Sequence, residues 1–299
     1  MNQMARGSEP SSARPPSPLS PTQALTLACL LEVSASKPGN VHRGADFSDL
    51  TLVDFLASAV AAAPELALAG QQGVGMAVLR AVQAARTVTA TNANLGIALL
   101  LAPLAAVPPD RPLADGIVDV LAGLTAEDSR AVYTAIRLAN PGGLGQTDQM
   151  DVNRDAAPAN LLDAMRAAAD RDTIARQYAD NFRELFELVV PTLRNAHDQG
   201  WPLNLAIIHT QLSVMHAIPD SLIARKCGLE TSQEAADRAG WVLEAGAPTD
   251  ETYQDRLAEL DFWLRSDGHR RNPGTTADLI AAAIYVAIRE GWLRFPLAW

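Results

Sequence analysis

Five polar segments interrupt a chain that is otherwise apolar at helical spacing, and each groups residue types that a hydrophobic core cannot use. The first, Ser34 to Asp46, holds Ser36, Lys37, Gly39, Asn40, His42 and Arg43 between two helices, and its backbone N–H groups could wrap an anion. The second, Thr91-Asn92-Ala93-Asn94-Leu95-Gly96, sets a hydroxyl and two amides at the start of an apolar helix, where free N–H groups attract phosphate. Plain N-capping by Asn92 or Asn94 would account for the same residues. The third, Asn140 to Val152, carries three glycines with Asp148 and Asp151. Two carboxylates three apart suit Mg²⁺ held against phosphates, or a solvated loop.

The fourth segment, Pro219 to Gly228, and the fifth, Arg270 to Leu279, each place an Asp beside basic groups. In the fifth, Asn272-Pro273-Gly274-Thr275-Thr276 precedes Asp278 and a long apolar helix. The free N–H groups of that helix then face the Thr hydroxyls and the arginines, a reasonable seat for a triphosphate. Of 24 basic residues only Lys37 and Lys226 are lysines, and both fall in these segments. A chain that otherwise uses Arg for positive charge retains Lys where a compact ammonium on a slim stem is needed. His209 and His216, seven apart, lack the four-residue spacing of a metal-binding helix and read as core or pocket-lining residues.

The elements that must position these segments are helical. Apolar residues recur at helical spacing from Pro21 onward, and five-residue alternations of apolar and polar are scarce. Ser20-Pro21 supplies a cap and a first-turn proline, and Thr51 with Asp54 forms a capping box. Further helices are predicted over 74–88, 94–105, 113–121, 126–138, 159–168, 173–196, 203–215, 220–226, 233–245, 252–265 and 275–290. The fold class is all-α, a single multi-helix bundle of about a dozen helices with no sheet, spanning residues 20–299 behind a Ser/Pro/Arg-rich tail over residues 1–19.

Composition bounds the function. The chain has 299 residues, 48% apolar and 19% charged, which excludes global disorder. Its net charge of −10 argues against duplex nucleic acid or an anionic membrane as the main partner, so a polyanion must be met by a local basic pocket. Two cysteines cannot form a disulfide framework, and the longest apolar run is too short to cross a bilayer, which makes the cytoplasm the expected compartment. The composition is compatible with a homodimer.

Taken in order, EVSASKPGNV, TNANLG, the DSLIARK segment and NPGTTADL resemble the triphosphoribosyl-dephospho-CoA synthase family, from about Glu32 to about Ile288. The resemblance implies an all-helical transferase in which the 2′-hydroxyl of 3′-dephospho-CoA attacks C1′ of the ATP ribose and adenine leaves. ATP would be co-substrate, with Mg²⁺. It implies phosphate contacts for Lys37, Arg225 and Lys226, and nucleotide contacts for Ser36, Gly39, Asn40, Thr91, Asn92, Asn94, Ser221, Asn272, Gly274 and Thr275. Asp148 and Asp151 would hold Mg²⁺, and Asp220 or Asp278 would act as base, with Asp148 grouped among the catalytic carboxylates.

Gly44-Ala45-Asp46 and Ala93-Asn94-Leu95 depart from the citrate-lyase branch, which shows Gly-Ala-His and a His-Lys pair there. The sequence is similar to a divergent branch found among archaeal and methanopterin-pathway homologues. A (phospho)ribosyl transfer in that chemistry, or a nucleotide-binding regulator without turnover, stands as the alternative.

Overall fold

The computed structural model describes residues 19–91, 94–141, 152 and 156–299. The N-terminal tail expected from the sequence lies outside them apart from Leu19. Among the described residues there are fifteen α-helices and no strand. In order they are α1 (Pro21–Ser34), α2 (Leu52–Leu66), α3 (Ala69–Gln72), α4 (Val74–Arg86), α5 (Leu95–Ala106), α6 (Leu113–Ala122), α7 (Ala126–Ala139) and α8 (Leu161–Ala168). Then come α9 (Thr173–Ala179), α10 (Val190–Asp198), α11 (Leu203–Ala217), α12 (Ser221–Cys227), α13 (Leu229–Leu243), α14 (Glu251–Arg265) and α15 (Gly274–Arg289).

Local signals set most boundaries. The Ser20 hydroxyl accepts from Gln23 N–H while the Gln23 side chain accepts from Ser20 N–H, and Thr51 with Asp54 does the same for α2. Helix α2 continues through Pro64, because the carbonyl that the proline leaves without its helical donor belongs to Val60 on an exposed face, where solvent can take the donor's place.

The one large departure is the expected single helix over 173–196. It breaks after α9, where Asn181 and Phe182 adopt left-handed backbone at φ 54° and 59°, and resumes as a wide π-turn over Leu185–Val189 leading into α10. Such a backbone is strained for a bulky residue. Phe182 is fully buried with its ring 5.7 Å from that of Tyr178, and burial of that size is worth about 2 kcal/mol, enough to offset the strain. Gln177 ties the break: its carbonyl accepts from Phe182 N–H at 2.7 Å and its side-chain oxygen from Leu185 N–H at 3.2 Å.

Two apolar clusters organise the packing. The larger gathers α1 to α10, α15 and part of α11, including Leu203, Ile207 and Val214. The smaller joins residues of α11, α12, α13 and α14, among them Leu212, Ile223, Ala239 and Leu264. Helix α15 is apolar on all sides, with every residue from Leu279 to Ile288 buried, as a central helix must be. Its N-terminal turn stands where the two clusters meet, beside α12 and the loop after α1.

Candidate active site

Asp220 shows how the sequence builds this junction. It is the N-cap of α12, its Oδ1 accepting from Leu222 N–H at 2.8 Å and Ile223 N–H at 3.1 Å. Its Oδ2 reaches across to α15 and accepts from Thr276 N–H at 2.7 Å and the Thr276 hydroxyl at 2.8 Å. One carboxylate therefore caps two helices, satisfying donors that both helix starts would otherwise leave unpaired. Ser221 adds a second tie: its hydroxyl donates to Thr275 Oγ1 at 3.1 Å and accepts from Thr173 N–H at 3.2 Å, which draws in the start of α9. Burial raises the Asp220 pKa, opposed by those four hydrogen bonds.

Asp278 lies two residues beyond Thr276 on α15 and is placed differently. Its carboxylate packs against Gly96 on the first turn of α5, so closely that a Cβ on Gly96 would lie 1.9 Å from Asp278 Oδ2. No side chain or backbone group among the described residues hydrogen-bonds it. Desolvation first, then the charges of Glu32, Asp220 and Asp172, push its pKa well above the usual carboxylate value, with Arg225 opposing. The surrounding acids are all committed. Glu32 pairs with Lys37 at 2.9 Å, Asp172 pairs with Arg225 and caps α9, and Asp220 caps α12 and α15. Asp278 alone of the four carries no direct counter-charge or donor among the described residues.

The loop after α1 closes one wall. Lys37 is fully buried, its ammonium held by the Glu32 carboxylate and by the Glu32 carbonyl at 2.5 Å. The sequence pointed Lys37 at a phosphate; in this arrangement it neutralises Glu32 and pins the loop to the end of α1. Gly39 adopts φ 74°, donates its N–H to Asp261 at 2.7 Å, and leaves no room for a Cβ, which would fall 2.8 Å from Leu264 and 2.9 Å from Pro273. Asn40 is buried and hydrogen-bonds Asn272 at the entry to α15, while Ser36 is exposed. Arg265 donates to the Asn40 carbonyl and to Asp261, and its guanidinium covers the Phe47 ring at 5.2 Å.

Lys226, at the end of α12, is half-buried, and desolvation lowers its pKa. It has no ion-pair partner among the described residues, whereas Arg225 beside it is engaged by Asp172. At α5, Asn94 stands at the N-cap position and is buried, yet its side chain makes no capping hydrogen bond, so capping does not explain that residue. Thr91 bonds Thr89 at 3.0 Å, and Thr91 and Asn94 line a shallow cleft of about 290 Å³, open mouth included.

The structure thus brings Lys37, Gly39, Asn40, Asn272, Gly274, Thr275, Asp220, Ser221, Arg225, Lys226 and Asp278 to one junction, with Asn94 next to Gly96 on α5. Asn92, Asp148 and Asp151 lie outside the described residues, and among those described no group of three His, Cys, Asp or Glu is arranged to hold a metal ion. Sequence reasoning passed over Glu32, Asp172, Gln211 and Asp261. The first stands inside the quoted EVSASKPGNV run, five residues before Lys37, and that spacing was a usable signal; Asp172 reads from sequence as a helix cap before Thr173 and nothing more, and Gln211 and Asp261 are isolated polar residues in helical stretches with no signal.

With four helix starts and a cluster of carboxylates converging, the junction suits a substrate that carries phosphates and develops positive charge at a carbon centre. A model of the ATP:dephospho-CoA triphosphoribosyl transferase family matches residues 18–296. The chain belongs to this family. Among solved structures, a chain from Archaeoglobus fulgidus assigned as a triphosphoribosyl-dephospho-CoA synthase is similar, with 28% identity and a TM-score of 0.62, over 80% of this chain and 100% of that one. No curated protein matches it. The transferase reading of the four ordered motifs therefore stands, and the all-α architecture belongs with it. Among the described residues, no helix of this transferase is long and apolar enough to cross a membrane.

Proposed function

We propose that this ATP-dependent triphosphoribosyl transferase binds ATP at the junction of α5, α12 and α15, with Asp278 as general base and 3′-dephospho-CoA as acceptor. The observation that supports the reading is the asymmetry among the acids: Glu32, Asp172 and Asp220 are neutralised or capped, and Asp278 is not. Lys226 and Asn272 meet the triphosphate, and Arg225, braced by Asp172, lies behind them.

In the step itself the acceptor hydroxyl gives its proton to Asp278 as its oxygen bonds C1′ of the ATP ribose. The C1′–N9 bond breaks, adenine leaves with the bonding electrons, and the proton passes from Asp278 through solvent to adenine. A carboxyl whose pKa is raised toward working pH is matched to that proton transfer, which typically contributes about 10²- to 10⁴-fold. The transition state is oxocarbenium-like, so a carboxylate beside the reacting carbon stabilises it more than the neutral ground state. Mg²⁺, proposed at Asp148 and Asp151, would neutralise charge on the triphosphate.

Adenine release from ATP, followed by chromatography with and without dephospho-CoA, tests the assignment. Release that depends on dephospho-CoA is expected. ATP binding with no adenine formed in its presence would remove that acceptor.

A further inference from the structure

Three buried or half-buried amides form a chain from the interior of the protein to the start of α15. Gln211 on α11 donates its Nε2 to the Pro38 carbonyl at 3.1 Å and to Asn40 Oδ1 at 2.7 Å, and Asn40 Nδ2 donates to Asn272 Oδ1 at 2.5 Å. A main-chain carbonyl can only accept, so the contact with Pro38 fixes which end of the Gln211 amide faces the loop. The rest follows link by link. Facing an NH₂ group, Asn40 presents its oxygen and turns its own NH₂ to Asn272. Asn272 must then answer with its oxygen, which leaves its NH₂ as the terminal group. Gln211 and Asn40 are buried, Asn272 is partly exposed, and its Nδ2 has no partner among the described residues.

We propose that Gln211 is a positioning residue that sets the polarity of this amide chain, so that Asn272 offers a hydrogen-bond donor, never an acceptor, to a phosphate oxygen of the nucleotide. The inference rests on the reading that the Asn272 loop meets the triphosphate. It explains why a fully buried glutamine, whose Nε2 hydrogen-bonds only the loop after α1 and whose Oε1 has no hydrogen-bond partner among the described residues, stands 171 residues from Asn40. It also explains why Asn, with one donor side and one acceptor side, occupies both linking positions: Asp would abolish the donors, and a hydroxyl would not fix the direction.

The test measures binding of ATP and of inorganic tripolyphosphate by calorimetry to the full chain and to Gln211→Glu, Gln211→Met, Asn272→Ala and Asn272→Asp. At about pH 8 the introduced carboxylate of Q211E cannot donate to Pro38, so Asn40 and then Asn272 reverse. Affinity for both ligands is expected to fall about ten- to hundredfold, the scale of one hydrogen bond to a charged acceptor. Near pH 5.5 the protonated carboxyl donates again and affinity recovers toward the wild type, since burial raises the pKa of such a group by about one unit or more. Read as a ratio to wild type at each pH, the contributions of the facing groups Asp261, Arg265, His42, His209, Lys37 and Glu32, which both proteins share, cancel.

Q211M loses affinity without pH-dependent recovery, and N272D binds more weakly than N272A. Wild-type affinity of Q211E at pH 8, a loss that does not recover with acid, or N272D binding as tightly as N272A would each overturn the proposal. N272D and N272A also decide the matter should the Gln211 variants fail to fold. If N272A binds tripolyphosphate as the wild type does, the triphosphate seat is itself wrong.

Discussion

Replacing Gly96 with Ala separates the stability of this fold from its chemistry. A Cβ there would lie 1.9 Å from Asp278 Oδ2, 2.6 Å from its Cγ and 2.8 Å from Ile174 Cδ1. Both intruding groups are ends of side chains, so they can yield without moving a helix. Overpacking costs about 1 to 3 kcal/mol, and Ala regains about 1 kcal/mol over Gly inside a helix. The net loss is therefore about 0 to 2 kcal/mol, a shift of a few degrees in melting temperature for a domain of this size.

The Asp278 carboxylate, in contrast, must retreat by about 1.5 to 2 Å to reach ordinary contact distance, and misplacing a reacting group by about 1 Å can cost a hundredfold. Thermal melts combined with adenine-release kinetics are expected to show near-wild-type stability and kcat reduced about a hundredfold or more. Gly75→Ala is the contrasting control. Its Cβ would meet main-chain atoms of Asp128 at 2.3 and 2.4 Å, which cannot rotate away, so stability should fall by about 3 kcal/mol or more while folded molecules keep their kcat. G96A retaining half the wild-type kcat would refute the placement of Asp278 at the reacting centre.

Three further outcomes follow from the same geometry. Asp220→Ala removes caps from α12 and α15 at once and should cost about 2 to 4 kcal/mol in urea unfolding, with a comparable loss for D220N smaller only by the donors an amide oxygen can still accept. For Asp278 the folded state binds the proton more tightly than the unfolded chain, so this group lowers stability as pH rises from about 4 and the effect saturates above the native pKa. Asp278→Asn should accordingly be more stable than the wild type at neutral pH, with the difference shrinking as acid is added; equal stabilities at every pH would contradict the raised pKa. Lys226→Met should raise KM for ATP about tenfold with a smaller effect on kcat, and the loss should shrink at high salt, as expected for a phosphate contact made by a partly exposed ammonium.

The fold was legible because its signals are local: capping boxes at Ser20 and Thr51, Asp220 before Ser221, and an apolar run after Asn272 each act within a few residues. The break at Asn181 and Phe182 was not, since only the burial of one ring and the reach of Gln177 hold an otherwise helical stretch in left-handed backbone. The site divides the same way. Motif residues named from sequence do gather at one junction, but which acid stays uncommitted depends on partners far along the chain, such as Asp172 on Arg225, and no spacing rule encodes them. Lys37 illustrates the limit most sharply, because a loop lysine beside Pro and Gly reads as a phosphate ligand and its partner is Glu32, one helical turn back.

The most direct measurement is a single-turnover comparison of wild type and Asp278→Asn with ATP and dephospho-CoA, alongside ATP affinity by calorimetry. With Asp278 as the base, D278N binds ATP within about threefold of wild type and releases adenine at least about a hundredfold more slowly. Adenine release by D278N at the wild-type rate would contradict it.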